Sequence, residues 1–417
     1  MKVAFVNQPW NSCPGPDPGS IAIWTHQVAR RLAHRHDVIV YAKVTRGQLR
    51  HERHDRLCFR RFSIRYDQKL LCLVKKLRRS ETPTPAFAGP GFYPWYGLRV
   101  ALDLRKQKCD IVHIHNLSQF LPVIKLLNPG ARIVLHMHCE WLTQLPLELV
   151  QPRIRNASLI LGVSDYITGK IRGGFPEQSI ICKTIFNGVQ VQALDVSHII
   201  EQKRVKPLTI LFVGRLTPEK GIHDLIDAFI LVSEQFPASV LRIIGPDSRT
   251  PSEYIVDLTE DPKVSELKKF YTESYVQILR ERIPAHLRMN IEFPGRLPHA
   301  QLEQHYSQAD VLVNPSLSES FGMALVEAME RGIPVIGTKV GGMPEIIVPG
   351  ETGFLVEPGD VQALARTIIQ LFADDSLRKK LGDAARIHAI KQFSWDRIAK
   401  NIFEAYEAVC QTSRDQQ

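Results

Sequence analysis

Short apolar runs rich in Val, Ile and Leu alternate with amphipathic stretches along almost the whole chain, in two separate series. In the first, strands are expected over 2–7, 37–42, 110–115, 132–138 and 158–163, with helices over 21–34 and 97–106. The second opens at Leu208 and continues with strands at 241–245, 291–295, 311–315, 334–339 and 353–356. Strands that alternate with helices imply a doubly wound parallel sheet, so the expected fold class is α/β with two such sheets in tandem. A polar stretch, Glu201-Gln-Lys-Arg-Val-Lys-Pro207, marks a linker over 190–207. The expected domains are 1–195 and 205–390, followed by a C-terminal helix within 391–417. Residues 246–289 break the rhythm and read as an insertion with a helix over 264–282.

At 417 residues the chain is long enough for two such cores. No apolar run approaches the ~20 residues needed to span a bilayer, and Lys2-Val-Ala-Phe-Val6 is too short for a signal peptide. Seven scattered cysteines without a C-x-x-C spacing are read as reduced thiols in a cytoplasm, with no zinc site. The formal charge of +10 is concentrated in Arg46–Arg79, which holds twelve basic residues against Glu52, Asp55 and Asp67. There Leu70, Leu71, Leu73, Val74 and Leu77 interleave with cations. That pattern suits either a peripheral contact with an anionic membrane or a solvated charge run. The segment has few aromatics, and nucleic acid is not an expected partner.

The chemistry-bearing residues cluster in the second series. Glu319 falls in a Ser-rich turn after the strand at 311–315, and Glu327 eight positions on, in a helix expected over 321–331. Eight helical positions span roughly 12 Å, the reach from sugar to ribose in a nucleotide-diphospho-sugar. The N–H groups of Phe321, Gly322 and Met323 at such a helix start suit a diphosphate. Spacing alone fits two solvated acids equally well. Upstream, Leu208-Thr-Ile-Leu-Phe-Val-Gly-Arg-Leu-Thr-Pro-Glu-Lys-Gly221 places Arg215 and Lys220 at a strand-to-helix turn, and Gly341-Gly342-Met343-Pro344-Glu345 forms a tight turn after the strand at 334–339.

Taken in order, strand-G-R-L-x-x-x-K-G, E-x7-E, G-G-x-P-E and G-x-x-G-x-L-V resemble the GT-B glycosyltransferases, specifically the retaining group called family 4. The resemblance implies two Rossmann-like domains around a deep interdomain cleft. The N-terminal domain would bind the acceptor and the C-terminal one the nucleotide sugar, with the last helix crossing back to the first domain. It implies metal-independent transfer of a sugar, with retention, from a UDP- or GDP-linked donor to a sugar, lipid-linked or polysaccharide acceptor, without a further cofactor. Arg215 and Lys220 would clamp the diphosphate and Glu327 the ribose. Glu319 would hold the donor sugar together with the Phe321, Gly322 and Met323 backbone. Ser320 departs from the Gly often found there. A sugar phosphorylase or nucleotide-sugar epimerase of the same fold is the alternative.

In the first series, His113-Ile-His115 and His136-Met-His138 end two strands, each pair on one face by alternation. No carboxylate pattern accompanies them as in a metal site. The resemblance assigns His138 a contact with the donor sugar and leaves His113, His115 and His136 as supporting groups. It also implies that Gly19, in the loop after the first strand, approaches the diphosphate, with Asp17 or His26 near the acceptor.

Overall fold

The computed structural model describes residues 1–15, 19–77, 85–192, 207–247 and 251–411. They form two compact units, one of Met1–Asn187 with Trp395–Gln417 and one of Gly188–Ser394. Most of the expected linker and Asp17 lie outside the described residues.

The first unit is built on eight strands: β1 (Lys2–Val6), β2 (Asp37–Lys43), β3 (His51–His54), β4 (Leu57–Phe62), β5 (Ile111–His115), β6 (Arg132–Met137), β7 (Leu159–Gly162) and β8 (Cys182–Thr184). Their order is β3-β4-β2-β1-β5-β6-β7-β8, parallel throughout except for β3 against β4. The central strands are apolar on both faces because helices cover both, and every residue of β5 is buried. On one face Trp24 of the helix Ser20–Leu32 packs among Phe5, Val40 and Val134. The C-terminal helix Trp395–Gln411 adds Trp395, Ile398, Ile402 and Tyr406 to the same core.

The basic segment is more ordered than a charge run. It contains the β3–β4 hairpin, and two of its cations are held by acids of this unit. Arg61, 1% exposed, pairs with Glu52 at 2.6 Å and donates to the Cys13 and Leu49 carbonyls. Arg60 pairs with Asp103. Only then does the helix Arg65–Leu77 begin, with Arg65, Tyr66, Lys69 and Leu73 exposed. Arg78 and Arg79 lie outside the described residues. No helix among the described residues is long and apolar enough to cross a membrane.

The second unit carries β9 (Thr209–Val213), β10 (Val240–Ile244), β11 (Ile291–Gly295), β12 (Val311–Asn314), β13 (Val335–Thr338) and β14 (Gly353–Val356), all parallel in the order β11-β10-β9-β12-β13-β14. Since β9, β12 and β13 are neighbours running the same way, the loops after their carboxyl ends, 214–221, 315–322 and 339–342, lie side by side. The insertion is not one helix over 264–282. It breaks into the short helix Pro262–Ser265, a 3-10 stretch Glu266–Tyr271 and the helix Tyr275–Glu281. Its apolar residues Val256, Val264 and Leu267 close a small core on Leu317 of the β12 loop.

Candidate active site

In the second unit the loop after β9 is drawn onto the loop after β12 by backbone contacts. The Leu317 N–H donates to the Glu219 carbonyl at 2.8 Å. Gly221, at φ +63°, lies so near the Pro315 carbonyl that a Cβ would come within 2.1 Å of its oxygen. This closeness brings Lys220 to Glu319, with Nζ donating to Oε2 at 2.8 Å and both side chains mostly buried. Burial by itself raises the Glu319 pKa, but the Lys220 charge, its hydrogen bond, the Phe321 N–H and Asn314 together bring it below the ordinary value.

Arg215 is more exposed and reaches Glu219 at 3.4 Å. Glu219 is buried and also accepts from the Thr217 hydroxyl at 2.7 Å, while Tyr271 of the insertion approaches its second oxygen at 3.5 Å. The insertion is thus joined to the motif that carries both cations.

The helix after Glu319 begins later than the sequence suggests, at Met323, because Gly322 takes φ +114° and ends the loop. The Phe321 N–H is consequently used by the Glu319 carboxylate at 3.4 Å. The N–H groups of Gly322 and Met323 have no hydrogen-bond partner among the described residues. The Gly341-Gly342 turn clamps this loop: the Gly342 N–H donates to the Glu319 carbonyl at 3.2 Å. Glu327 lies on the helix Met323–Glu330 and accepts from the Tyr306 hydroxyl at 2.7 Å. Tyr306 is buried, and burial with the Glu327 charge beside it raises its pKa far above the usual range, so it stays a donor. Lys220, Glu319, Phe321, Gly322 and Met323 are therefore brought together, with Arg215 bordering them through Glu219 and Glu327 on the adjoining helix.

In the first unit β5 and β6 bring all four histidines into one cluster. His115 stands opposite His136 in the register, and the rings surround Trp24 at 4.9–6.2 Å between centroids. His113 contacts His136 at 3.2 Å and the Tyr406 hydroxyl at 2.7 Å. His115 contacts His138 at 3.0 Å and Thr25 at 3.0 Å. The ligand atoms of His113, His115 and His136 lie within 4.8 Å of one another, close enough for one metal ion, in a fully buried setting with no carboxylate joining them among the described residues. Burial lowers the pKa of all four, so they are neutral imidazoles. His138, just past β6, is the only member not fully buried, and its backbone N–H is held by Asn116 Oδ1 at 2.7 Å.

Gly19 caps the helix Ser20–Leu32 at φ −67°, and a Cβ there would meet nothing nearer than Asn11 Oδ1 at 3.9 Å. Nothing among the described residues of this unit demands glycine at that position. His26 packs beside Phe59. Glu219, Asn314, Tyr271, Tyr306, Thr25 and Asn116 escaped sequence reasoning. Of these only Glu219 carried a signal, as the acid inside the G-R-L-x-x-E-K-G run.

Residues 195–388 match the family Glycosyl transferases group 1, and residues 21–193 match Glycosyltransferase Family 4. Spore coat protein SA of Bacillus subtilis (strain 168) is 25% identical over 422 residues, covering 98% of this chain and 99% of that protein. Among solved structures, the sucrose-phosphate synthase of Thermosynechococcus elongatus superposes with a TM-score of 0.71 at 20% identity, covering 99% of this chain and all of that one. Anabaena Alr3699/HepE in complex with UDP and glucose superposes with a TM-score of 0.70 at 22% identity, over 98% of this chain and all of the other. The fold is that of the GT-B enzymes.

Proposed function

We propose that this chain, which belongs to the glycosyl transferases group 1, transfers a hexosyl group from a nucleotide-diphospho-sugar to an acceptor hydroxyl with retention at the anomeric carbon. The observation that carries this reading is the loop cluster of the second unit. A lysine, its partner carboxylate and two N–H donors unpartnered among the described residues meet at the carboxyl ends of neighbouring parallel strands. Such an edge is where open α/β sheets bind ligands.

On donor binding the diphosphate takes over Lys220 and the Gly322 and Met323 N–H groups, with Arg215 beside them, and Glu319 turns to the sugar hydroxyls. Glu327, oriented by Tyr306, holds the ribose. The bond from the anomeric carbon to the diphosphate oxygen breaks as the acceptor oxygen bonds to that carbon on the same face. The acceptor's proton passes to the departing phosphate oxygen. Arg215, Lys220 and the N–H groups stabilise the charge left on the diphosphate, a task that needs no metal or further cofactor.

Of the first unit's residues, His138 serves the donor sugar, and the loop of Gly19 serves the diphosphate and the acceptor. The acceptor is a sugar, lipid-linked or polysaccharide hydroxyl, and the exposed face of the helix Arg65–Leu77 provides contact with an anionic membrane from a cytoplasmic location. The UDP and glucose bound to the Anabaena neighbour favour UDP-glucose as the first donor to test.

The test is thermal unfolding with UDP, GDP, ADP and their sugar derivatives, on wild type and Glu327→Ala. Ligand at about 100 times Kd stabilises by about 2.7 kcal/mol. A shift with one nucleotide family, lost in the variant, supports the reading. Absence of any shift, together with phosphate-dependent sugar release, would replace it with a phosphorylase.

A further inference from the structure

A hydroxyl buried in the first unit fixes which nitrogen of His138 carries its proton. Thr25 Oγ1 lies 2.8 Å from the Ile21 carbonyl oxygen, 2.9 Å from Asn7 Oδ1 and 3.0 Å from His115 Nε2. A threonine hydroxyl has one proton to donate and two lone pairs to accept with. If that proton went to His115, Oγ1 would face two oxygens with no hydrogen between any of them, in a site where neither Thr25 nor Asn7 has access to water. The proton therefore belongs to an oxygen, and His115 Nε2 must be the donor to Oγ1.

The result holds for either setting of the Asn7 amide because the Ile21 carbonyl oxygen, 2.8 Å from Oγ1, is an acceptor in both and needs the hydroxyl proton. As placed, the amide's Nδ2 has no hydrogen-bond partner among the described residues. Turned over, it donates to Oγ1, and the hydroxyl is then satisfied completely: it accepts from Asn7 and His115 and donates to Ile21.

The count passes along the chain of rings. With its proton on Nε2, neutral His115 presents Nδ1 as a bare lone pair, 3.0 Å from His138 Nε2. A contact of that length between two neutral imidazoles needs one hydrogen, so His138 carries its own on Nε2. Its Nδ1 is then an acceptor, without a hydrogen-bond partner among the described residues, on the one ring of the cluster that is not fully buried. Asn116, at φ +58°, accepts from the His138 backbone N–H through Oδ1 at 2.7 Å and so holds the backbone that carries the ring.

We infer that Thr25 and His115 are positioning residues that lock His138 as the Nε2–H tautomer, so that it offers a lone pair to a ligand hydroxyl and disfavours a phosphate or carbonyl oxygen. The hydroxyl specificity rests on the glycosyltransferase reading above, where carbohydrate hydroxyls are the groups to be recognised. The tautomer itself rests only on the contacts just described.

Two-bond proton–nitrogen NMR of the ligand-free full chain, labelled with 15N-histidine, reads the tautomer directly, and the His138 signals are those that vanish in His138→Gln. The expected wild-type pattern has Nε2 protonated and Nδ1 bare. Thr25→Ser keeps it, while Thr25→Val, which removes the acceptor for His115, averages the two tautomers. In turnover Thr25→Val lowers kcat about tenfold, the effect of one hydrogen bond lost in the transition state, with a smaller change in donor KM, and Thr25→Ser restores it. A wild-type His138 protonated on Nδ1 overturns the inference even if Thr25→Val fails to fold, and so does a Thr25→Val spectrum identical to wild type. A chain that shows the Nε2–H tautomer yet turns over no nucleotide sugar supports the positioning and overturns the proposed function instead.

Discussion

Lys220 and Glu319, ninety-nine positions apart in sequence, form an ion pair of 2.8 Å in which each is the other's counter-charge. The Glu319 pKa is held below 4.5 only because Lys220 and the hydrogen bonds outweigh burial. A carboxyl with a folded-state pKa below its unfolded one adds stability that is complete above the unfolded value and lost as pH falls through the folded one. In Lys220→Met burial wins and the carboxylate becomes a liability. The variant should be less stable than wild type at pH 7, with the gap narrowing as pH falls through the variant's raised Glu319 pKa and then through the lowered one of wild type. Urea unfolding at pH 7 and pH 4 reads both, and a gap of equal size at the two would refute this account.

Gly341 stands where no other residue fits. Its φ is +54°, and a Cβ would sit 1.6 Å from the Glu319 carbonyl oxygen, which is backbone and not free to swing aside. Gly341→Ala should therefore displace the Glu319 loop. It should cost on the order of 1–3 kcal/mol, or about 2–12 °C in Tm, and nucleotide-sugar turnover should fall far more than stability requires. Retained activity in a stable variant would mean that the loop has slack.

Tyr306→Phe separates orientation from packing. The phenyl ring keeps its place under Arg331, whose guanidinium lies 4.7 Å from the ring centroid, while Glu327 loses its donor. Stability should change by only about 1 kcal/mol. The donor KM should rise several-fold with kcat largely kept, as expected for lost ground-state binding. A KM equal to wild type would detach Tyr306 from the ribose contact proposed for Glu327.

Leu317→Ala tests whether the insertion supports the site. Leu317 is 8% exposed and is the β12-loop residue on which Val256, Val264 and Leu267 close. Truncation should cost about 2–5 kcal/mol. Hydrogen–deuterium exchange should rise in 251–271 and in the Glu319 loop together. Exchange confined to the insertion would leave it a surface addition.

The parallel strands were legible because a strand buried on both faces must be apolar throughout, and Arg215, Lys220 and Glu319 could be placed in the loops past such strands, whereas Glu327 was placed by its spacing from Glu319. The hairpin of β3 and β4 was not. His51-Glu-Arg-His54 is an edge strand facing water, and the two arginines of Leu57–Phe62 are neutralised by Glu52 and Asp103, partners that composition cannot reveal. The start of the helix Met323–Glu330 was misplaced because a left-handed Gly322 leaves no trace in periodicity. Tyr306, Asn314 and Thr25 escaped for a common reason. Each acts through a partner brought near only by the sheet, and an isolated hydroxyl or amide in sequence carries no sign of what it will face.

Unit one is discontinuous: Trp395, Ile398, Ile402 and Tyr406, from the far end of the chain, complete the core that Phe5 and Trp24 begin. During synthesis its first 187 residues would emerge with that face of the sheet covered only in part, by the helix Ser20–Leu32, and they would wait while all of Gly188–Ser394 is made and can fold as a separate body. The part translated first would thus be the last to finish. A frameshift or early stop near residue 395 would do its damage to the opposite end of the sequence, by stripping the cover from the N-terminal sheet and leaving a nascent chain for chaperones to hold.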